Sequence, residues 1–173
     1  PTAPRWVIDP VGSTIKFEAS QYGQPFTGSF PHFSGDIFFD PENLAGSSAG
    51  VTINLAGEGS IKTGSPERDQ QALSADWFDS AQYPRAFFAT DSFEKTGENT
   101  YVAHGVLFLR GIQKKMDMPF RLSLSNAGQT AFMEAELTLN RLDFGIGQGQ
   151  WAATDAIADS VKVTIAVTAT KNQ

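Results

Sequence analysis

Apolar and polar residues alternate with period two over much of the chain, the signature of strands that bury one face. Thr14 to Ser20 sets Ile15, Phe17 and Ala19 against Lys16 and Glu18, and Phe33 to Asp40 offers Phe33, Ile37 and Phe39 before a Pro-Glu-Asn turn. Ser48 to Leu55 offers Val51, Ile53 and Leu55; Arg85 to Phe93 and Thr100 to Leu109 follow, separated by the turn Thr96-Gly97-Glu98-Asn99. The last third is the most regular: Met116, Met118, Phe120, Leu122 and Leu124 alternate with polar residues, as do Met133, Ala135, Leu137 and Leu139, and Val161, Val163, Ile165 and Val167. Asn126-Ala127-Gly128-Gln129 is a hairpin signal between two of these runs. About eight mostly antiparallel strands result, which close into a barrel or stack as a sandwich. Inward positions include the small Ala19, Gly35, Ala135 and Ala169, which favours an interior with room for one ligand.

One stretch breaks the period. Ser65 can cap a helix and Pro66 suits its first position, after which Gln70, Leu73 and Trp77 fall at i, i+3 and i+7. A short helix over about 65–78 is predicted, resting on a sheet rim or plugging one end, with Leu73 and Trp77 facing inward. The long connection 140–159, which includes Phe144 and Trp151, has the length at which loops become functional.

Composition narrows the classes. The 173 residues suit one domain over 1–173, 40% hydrophobic, with 14 Phe and 16 Gly that point to sheet and turns. A net charge of -6 with scattered Lys and Arg opposes electrostatic capture of nucleic acid or of anionic lipid surfaces, since both need a clustered positive field. With zero Cys, disulfides, thiolate catalysis and Cys-based metal sites are excluded. There is no run of 18 apolar residues and no signal-peptide core at Pro1; a secreted chain whose signal was removed looks the same.

The motifs with catalytic overtones lack their context. Gly46-Ser47-Ser48-Ala49-Gly50 matches the nucleophile elbow G-x-S-x-G, but a strand follows it where the elbow needs a helix. Gly145-Ile146-Gly147-Gln148-Gly149-Gln150 lacks the third Gly of a dinucleotide loop and no βαβ unit surrounds it. His32 and His104 have no carboxylate at metal-ligand spacing nearby in sequence, and Glu134 and Glu136 share a solvent face. Arg68 and Asp69, adjacent on a helix, point in different directions, so Arg68 is read as a ligand head-group contact or a tie to the barrel.

Trp6-Val7-Ile8-Asp9-Pro10, Gly28-Ser29-Phe30, Phe33-Ser34-Gly35-Asp36-Ile37, Ile61-Lys62-Thr63-Gly64 and Arg68-Asp69 open a series of short segments. Trp77-Phe78-Asp79, Tyr83-Pro84, Phe88, Gly105 through Gly111, and Arg141 through Ile146 continue it in order. Within a span from Trp6 to Lys171, the series resembles the YceI-like family of bacterial periplasmic, lipocalin-like, polyisoprenoid-binding proteins. Gly12-Ser13 and Gln71-Ala72 stand where the family often has His-Ser and His-Leu, which removes histidine head-group contacts. Asp76-Trp77-Phe78-Asp79 and Gln150-Trp151 are similar to the branch found beside, or fused to, cytochrome b561-type membrane proteins.

The resemblance implies an all-β, lipocalin-like, extended eight-stranded antiparallel barrel with its helix at one end, in the periplasm, binding and carrying or storing a long isoprenoid lipid. The implied ligand is a quinone such as ubiquinone, or a polyprenyl phosphate or pyrophosphate, with no catalytic cofactor. A membrane b-type cytochrome and a second copy of the chain are the further partners it admits. Burying one isoprene unit contributes roughly 3 to 4 kcal/mol as an upper bound, so no catalytic group is needed for tight binding. Strand parity selects Phe17, Ile37, Phe39, Ile53, Phe88, Leu107, Met118, Phe120 and Leu137 as tunnel lining, joined by Leu73, Trp77, Phe144 and Trp151. Head-group candidates are Arg68, Asp69 and Arg85; the negative net charge leans toward a neutral head. Two rivals are an enzyme for a small hydrophobic substrate and a filled barrel that docks on a membrane redox protein.

Overall fold

The computed structural model describes residues 3–57, 59–148 and 157–172. Ten strands form one antiparallel sheet in the order β1-β4-β5-β6-β7-β8-β9-β10-β2-β3, with β1 also pairing β10 and so closing the sheet on itself. They are β1 (Arg5–Ile8), β2 (Thr14–Gln21), β3 (Gln24–Ser29), β4 (Phe33–Phe38), β5 (Ser48–Asn54), β6 (Arg85–Lys95), β7 (Thr100–Leu109), β8 (Ile112–Ser125), β9 (Thr130–Asn140) and β10 (Ser160–Lys171).

Ten segments make an eight-stranded barrel because two strands are broken. β1 and β2 pair successive parts of β10, Trp6 facing Lys171 and Phe17 facing Val163. β4 and β3 pair β1 and β2 in turn. Pro10 and Pro31, which cannot donate to a ladder, sit in the two breaks. The alternation in the sequence missed the short β1 and β3.

Below the breaks the ring is closed by β1, β4 and β5. Above them no strand among the described residues pairs the outer side of β3; Ser29 and Lys62 exchange backbone bonds of 2.8 and 2.9 Å instead, leaving a seam covered by the only α-helix among the described residues.

That helix, α1 (Pro66–Ala72), is shorter than predicted. Ser65 caps it, its Oγ accepting from Arg68 N at 3.3 Å, but Leu73 already has the geometry of a C-cap and its N–H turns back to Gln71 O. Trp77 and Phe78 follow in turns held by bonds to Ser74 and Ala72.

Parity holds along most strands and is reset once. A bulge between Thr90 and Ser92 on β6 lets both Phe88 and Phe93 point inward across an odd spacing. Inside, the two ends differ. At the end bearing β1, the rings of Phe39, Phe93, Tyr101 and Phe120 pack with centroids 5.0–6.2 Å apart, and Trp6 Nε1 donates to Phe39 O at 2.9 Å. The other end is capped by a cluster of Leu55, Ala86, Leu109, Phe144 and Ile146 under Leu73, Trp77 and Phe78.

The outer wall carries one ionic row across three strands. His104 Nδ1 lies 2.7 Å from Asp117 Oδ1 and its Nε2 lies 3.0 Å from Glu94 Oε1. The carboxylates sit on opposite ring nitrogens, so they bracket the ring without converging on a point. Bonds to Asp117 first and Glu94 second raise the imidazole above its ordinary 6.5. A raised native value means that the stabilisation is present below that pH and fades as pH rises through the native pKa. The His104 ring resonances are therefore expected to titrate above 6.5, and His104→Gln to flatten stability against pH in this window; a ring titrating below it removes the ion pairs from solution.

Candidate lipid-binding cavity

Between the aromatic plug and the capped end lies a cavity of about 550 Å³, within the roughly 300–1,000 Å³ range of ligand pockets. Its middle wall is apolar, built from inward positions such as Ile15, Phe17, Val51, Ile53, Phe88 and Leu107. All three methionines of the chain, Met116, Met118 and Met133, belong to that wall. Unbranched thioethers adapt to guests of irregular shape. Gly105 on β7 makes space first for the Ala89 carbonyl, the nearest group an added Cβ would meet, and then for the Phe88 ring, which would stand 3.0 Å from it.

Polar lining is confined to the helix end. Gln21, Thr63, Ser65, Glu67, Arg68 and Gln71 surround the mouth at the seam between β3 and α1. Arg68 spans that seam: its guanidinium lies 4.1 Å over the Phe26 ring and donates to Gln21 Oε1 at 3.0 Å. Asp69 faces a different task, accepting from Thr63 N at 2.8 Å and from Thr63 Oγ1; it locks the preceding loop to the helix and is not on the cavity lining.

Arg141, quoted above only within a family segment, is the residue that sequence reasoning undervalued. It is 3% exposed in the 3-10 turn Arg141–Phe144 and lines the cavity. Its guanidinium donates to Ala158 O at 3.1 Å, Ile157 O at 2.8 Å and Ile146 O at 2.9 Å, and lies 5.5 Å over the Trp77 ring. Burial lowers its pKa, with Asp159 opposing. Gly147 has φ 87° and packs against the Arg141 guanidinium, while its N–H and that of Gln148 donate to Asp76 O at 2.7 Å. One side chain thus ties the loop after it, the segment 157–158 and the Trp77 turn into one cap.

Of the lining residues selected by parity, Phe17, Ile37, Ile53, Phe88, Leu107, Met118 and Leu137 stand on the cavity wall, as do Trp77 and Phe144 at the cap. Phe39 and Phe120 point inward but belong to the aromatic plug, and Leu73 packs behind the cap. Trp151 lies outside the described residues. Arg85 is exposed on the outer wall and does not reach the cavity. The small residues that suggested room mostly face bulk: Ala135 sits opposite Phe120, and a Cβ on Gly35 would meet Ile8 at 2.8 Å. Only Ala19 of that set lines the cavity. Ser48 of the G-x-S-x-G match opens β5, with no nucleophile turn around it. No helix among the described residues is long and apolar enough to cross a membrane.

Known proteins carry the same architecture. The structure of Burkholderia cenocepacia BcnA superposes with a TM-score of 0.88 at 30% identity, over 94% of this chain and 99% of that one. A polyisoprenoid binding domain from Saccharophagus degradans implicated in plant cell wall breakdown gives 0.77 at 18% identity over 98% and 99%, a likeness of fold alone. Protein YceI of Escherichia coli O17:K52:H18 is 34% identical over 123 residues, 69% of this chain and 62% of the relative, so the match spans about three-fifths of that protein. A UPF0312 protein of Pseudomonas putida is 31% identical over 162 residues, 88% of this chain and 82% of the relative. The model of the YceI-like domain matches residues 6–169, a span that takes in the plug, the cavity wall and the Arg141 cap, and the chain belongs to that family.

Proposed function

We propose that the chain, over 1–173, is one lipid-binding domain that holds a polyisoprenoid in its tunnel and carries or stores it in the periplasm. The observation that carries this is an apolar cavity of about 550 Å³, plugged at one end, with polar groups gathered at the other. An extended hydrocarbon with one polar head matches that division of the lining. The Saccharophagus degradans domain of the same fold is a polyisoprenoid binding domain, which supports the class of guest. No reaction is part of the proposal: among the described residues the ionisable side chains on the lining are Glu67, Arg68 and Arg141. A filled docking module is the weaker reading because the interior holds open space.

The head group favoured is neutral, as in a quinone. A pyrophosphate calls for converging cations, whereas at the mouth Arg68 shares the lining with the acidic Glu67, and Arg85 is on the outside. Arg68 is also already committed to Gln21 and Phe26. Solvent extraction and mass spectrometry of the purified chain should find an isoprenoid quinone; repeated preparations that hold no isoprenoid, even after being offered quinone and prenyl phosphate, would end the carrier reading. Trp77→Ala is expected to weaken retention by more than tenfold, since it opens the cap and removes a large half-buried ring, and Arg68→Gln by less. The reverse order would assign control to the head group.

A further inference from the structure

A second surface suited to a ligand lies on the outer wall. The register from β5 to β8 sets Thr52, Phe87, Phe108 and Gln113 in one row. Phe87 and Phe108 are 38% and 39% exposed, with ring centroids 6.2 Å apart. Phe87 lies flat on the sheet because its neighbour is Gly50, where an added Cβ would meet the ring at 3.2 Å. Alternation sets both residues on the outer face, opposite in parity to Phe88 and Leu107, and although Phe87 also borders the cavity lining, core packing does not account for the exposure of the two rings; contiguous aromatic surface on an outer wall marks an interaction site.

Cations border the two rings. Arg85 precedes Phe87 by two residues on the same face, and Lys115 stands opposite Val106 in the next row. Among the described residues neither Arg85 nor Lys115 enters an ion pair, although the chain as a whole carries a charge of -6. From β5 to β8 these rows contain no carboxylate until the bracketed His104. Arg85 also borders a shallow depression whose other polar walls are His32, Ser34, Thr52 and Asn54, a set of donors that suits phosphate oxygens.

We propose that this wall is a membrane-docking face that seats the phosphate of an anionic phospholipid in the Arg85 depression while Phe87 and Phe108 enter the lipid interface. A phosphate with acyl chains beside it supplies both halves of the surface, charge for Arg85 and Lys115 and apolar ground for the rings. An acidic protein surface satisfies the cations and leaves the rings against polar groups. The proposal does not depend on what the tunnel holds.

Flotation of the full chain with phosphatidylcholine vesicles, with and without phosphatidylglycerol, tests it. Binding is expected only to the anionic vesicles and is expected to fall as salt is raised. R85Q/K115Q should weaken partition about thirty-fold, from the loss of two surface cations, with melting temperature and tunnel lipid unchanged. F87S/F108S should abolish binding, and K16Q, on the far wall, should leave it intact. Absence of flotation with phosphatidylglycerol, flotation of R85Q/K115Q at the parent level, or an equal loss in K16Q overturns the proposal. So does a chain that ignores vesicles while inorganic phosphate shifts the Arg85 and His32 resonances, which would make the depression a site for soluble anions.

Discussion

Arg141→Met is expected to lower the melting temperature by about 6–12 °C, the shift that about 3 kcal/mol produces in a chain of this length. The side chain is 3% exposed and its donors reach the main-chain oxygens of Ile146, Ile157 and Ala158. Methionine fills similar volume but leaves those buried acceptors bare, at about 1–3 kcal/mol each. Relief of the buried charge works the other way, since burial already lowers the Arg141 pKa, and the net falls below the sum of the bonds. Because the same guanidinium lies over Trp77, the cap should loosen as stability falls, and a bound lipid should exchange faster. Arg141→Lys keeps the charge without the planar fork and should recover only part of both effects. A methionine variant with unchanged melting would mean that the cap is held by other contacts.

How far the sequence could be read follows from what each signal encodes. Period-two alternation reports which face a side chain occupies, so the inward direction of Phe17, Ile53, Met118 and Phe120 was visible. It does not report depth. Phe120 and Met118 share parity two residues apart on β8, yet one stacks on Tyr101 at 5.4 Å and the other lines the cavity. Depth is set by register against neighbouring strands, and no local pattern holds it. Arg85 is the opposite lesson: the parity that turns Phe88 inward turns Arg85 outward, so its place among head-group candidates conflicted with its own strand. The Phe93 side chain needed the bulge at Thr90 and Ser92, which alternation cannot announce. Arg141 was hidden for another reason. Its value comes from carbonyls scattered over residues 146–158, and main-chain acceptors carry no sequence label.

Ala19→Trp is expected to empty the tunnel while leaving the barrel folded. Ala19 is 8% exposed, lines the cavity, and faces Phe26 across the β2–β3 pair, two residues from Gln21 at the mouth. An indole there projects into open space, so it avoids the overpacking penalty of about 1–3 kcal/mol; the same change at Ala135, opposite Phe120 in the plug, incurs that penalty. The two variants separate occlusion from misfolding: Ala19→Trp should melt close to the parent chain, and Ala135→Trp should melt lower. For a lipid, the indole takes the room of at least one isoprene unit. At roughly 3 to 4 kcal/mol per unit this amounts to a loss of roughly 100- to 1,000-fold in affinity, read as isoprenoid recovered per mole of protein after solvent extraction. An Ala19→Trp chain that is folded and still retains lipid at the parent level would place the guest outside the barrel and sink the tunnel reading.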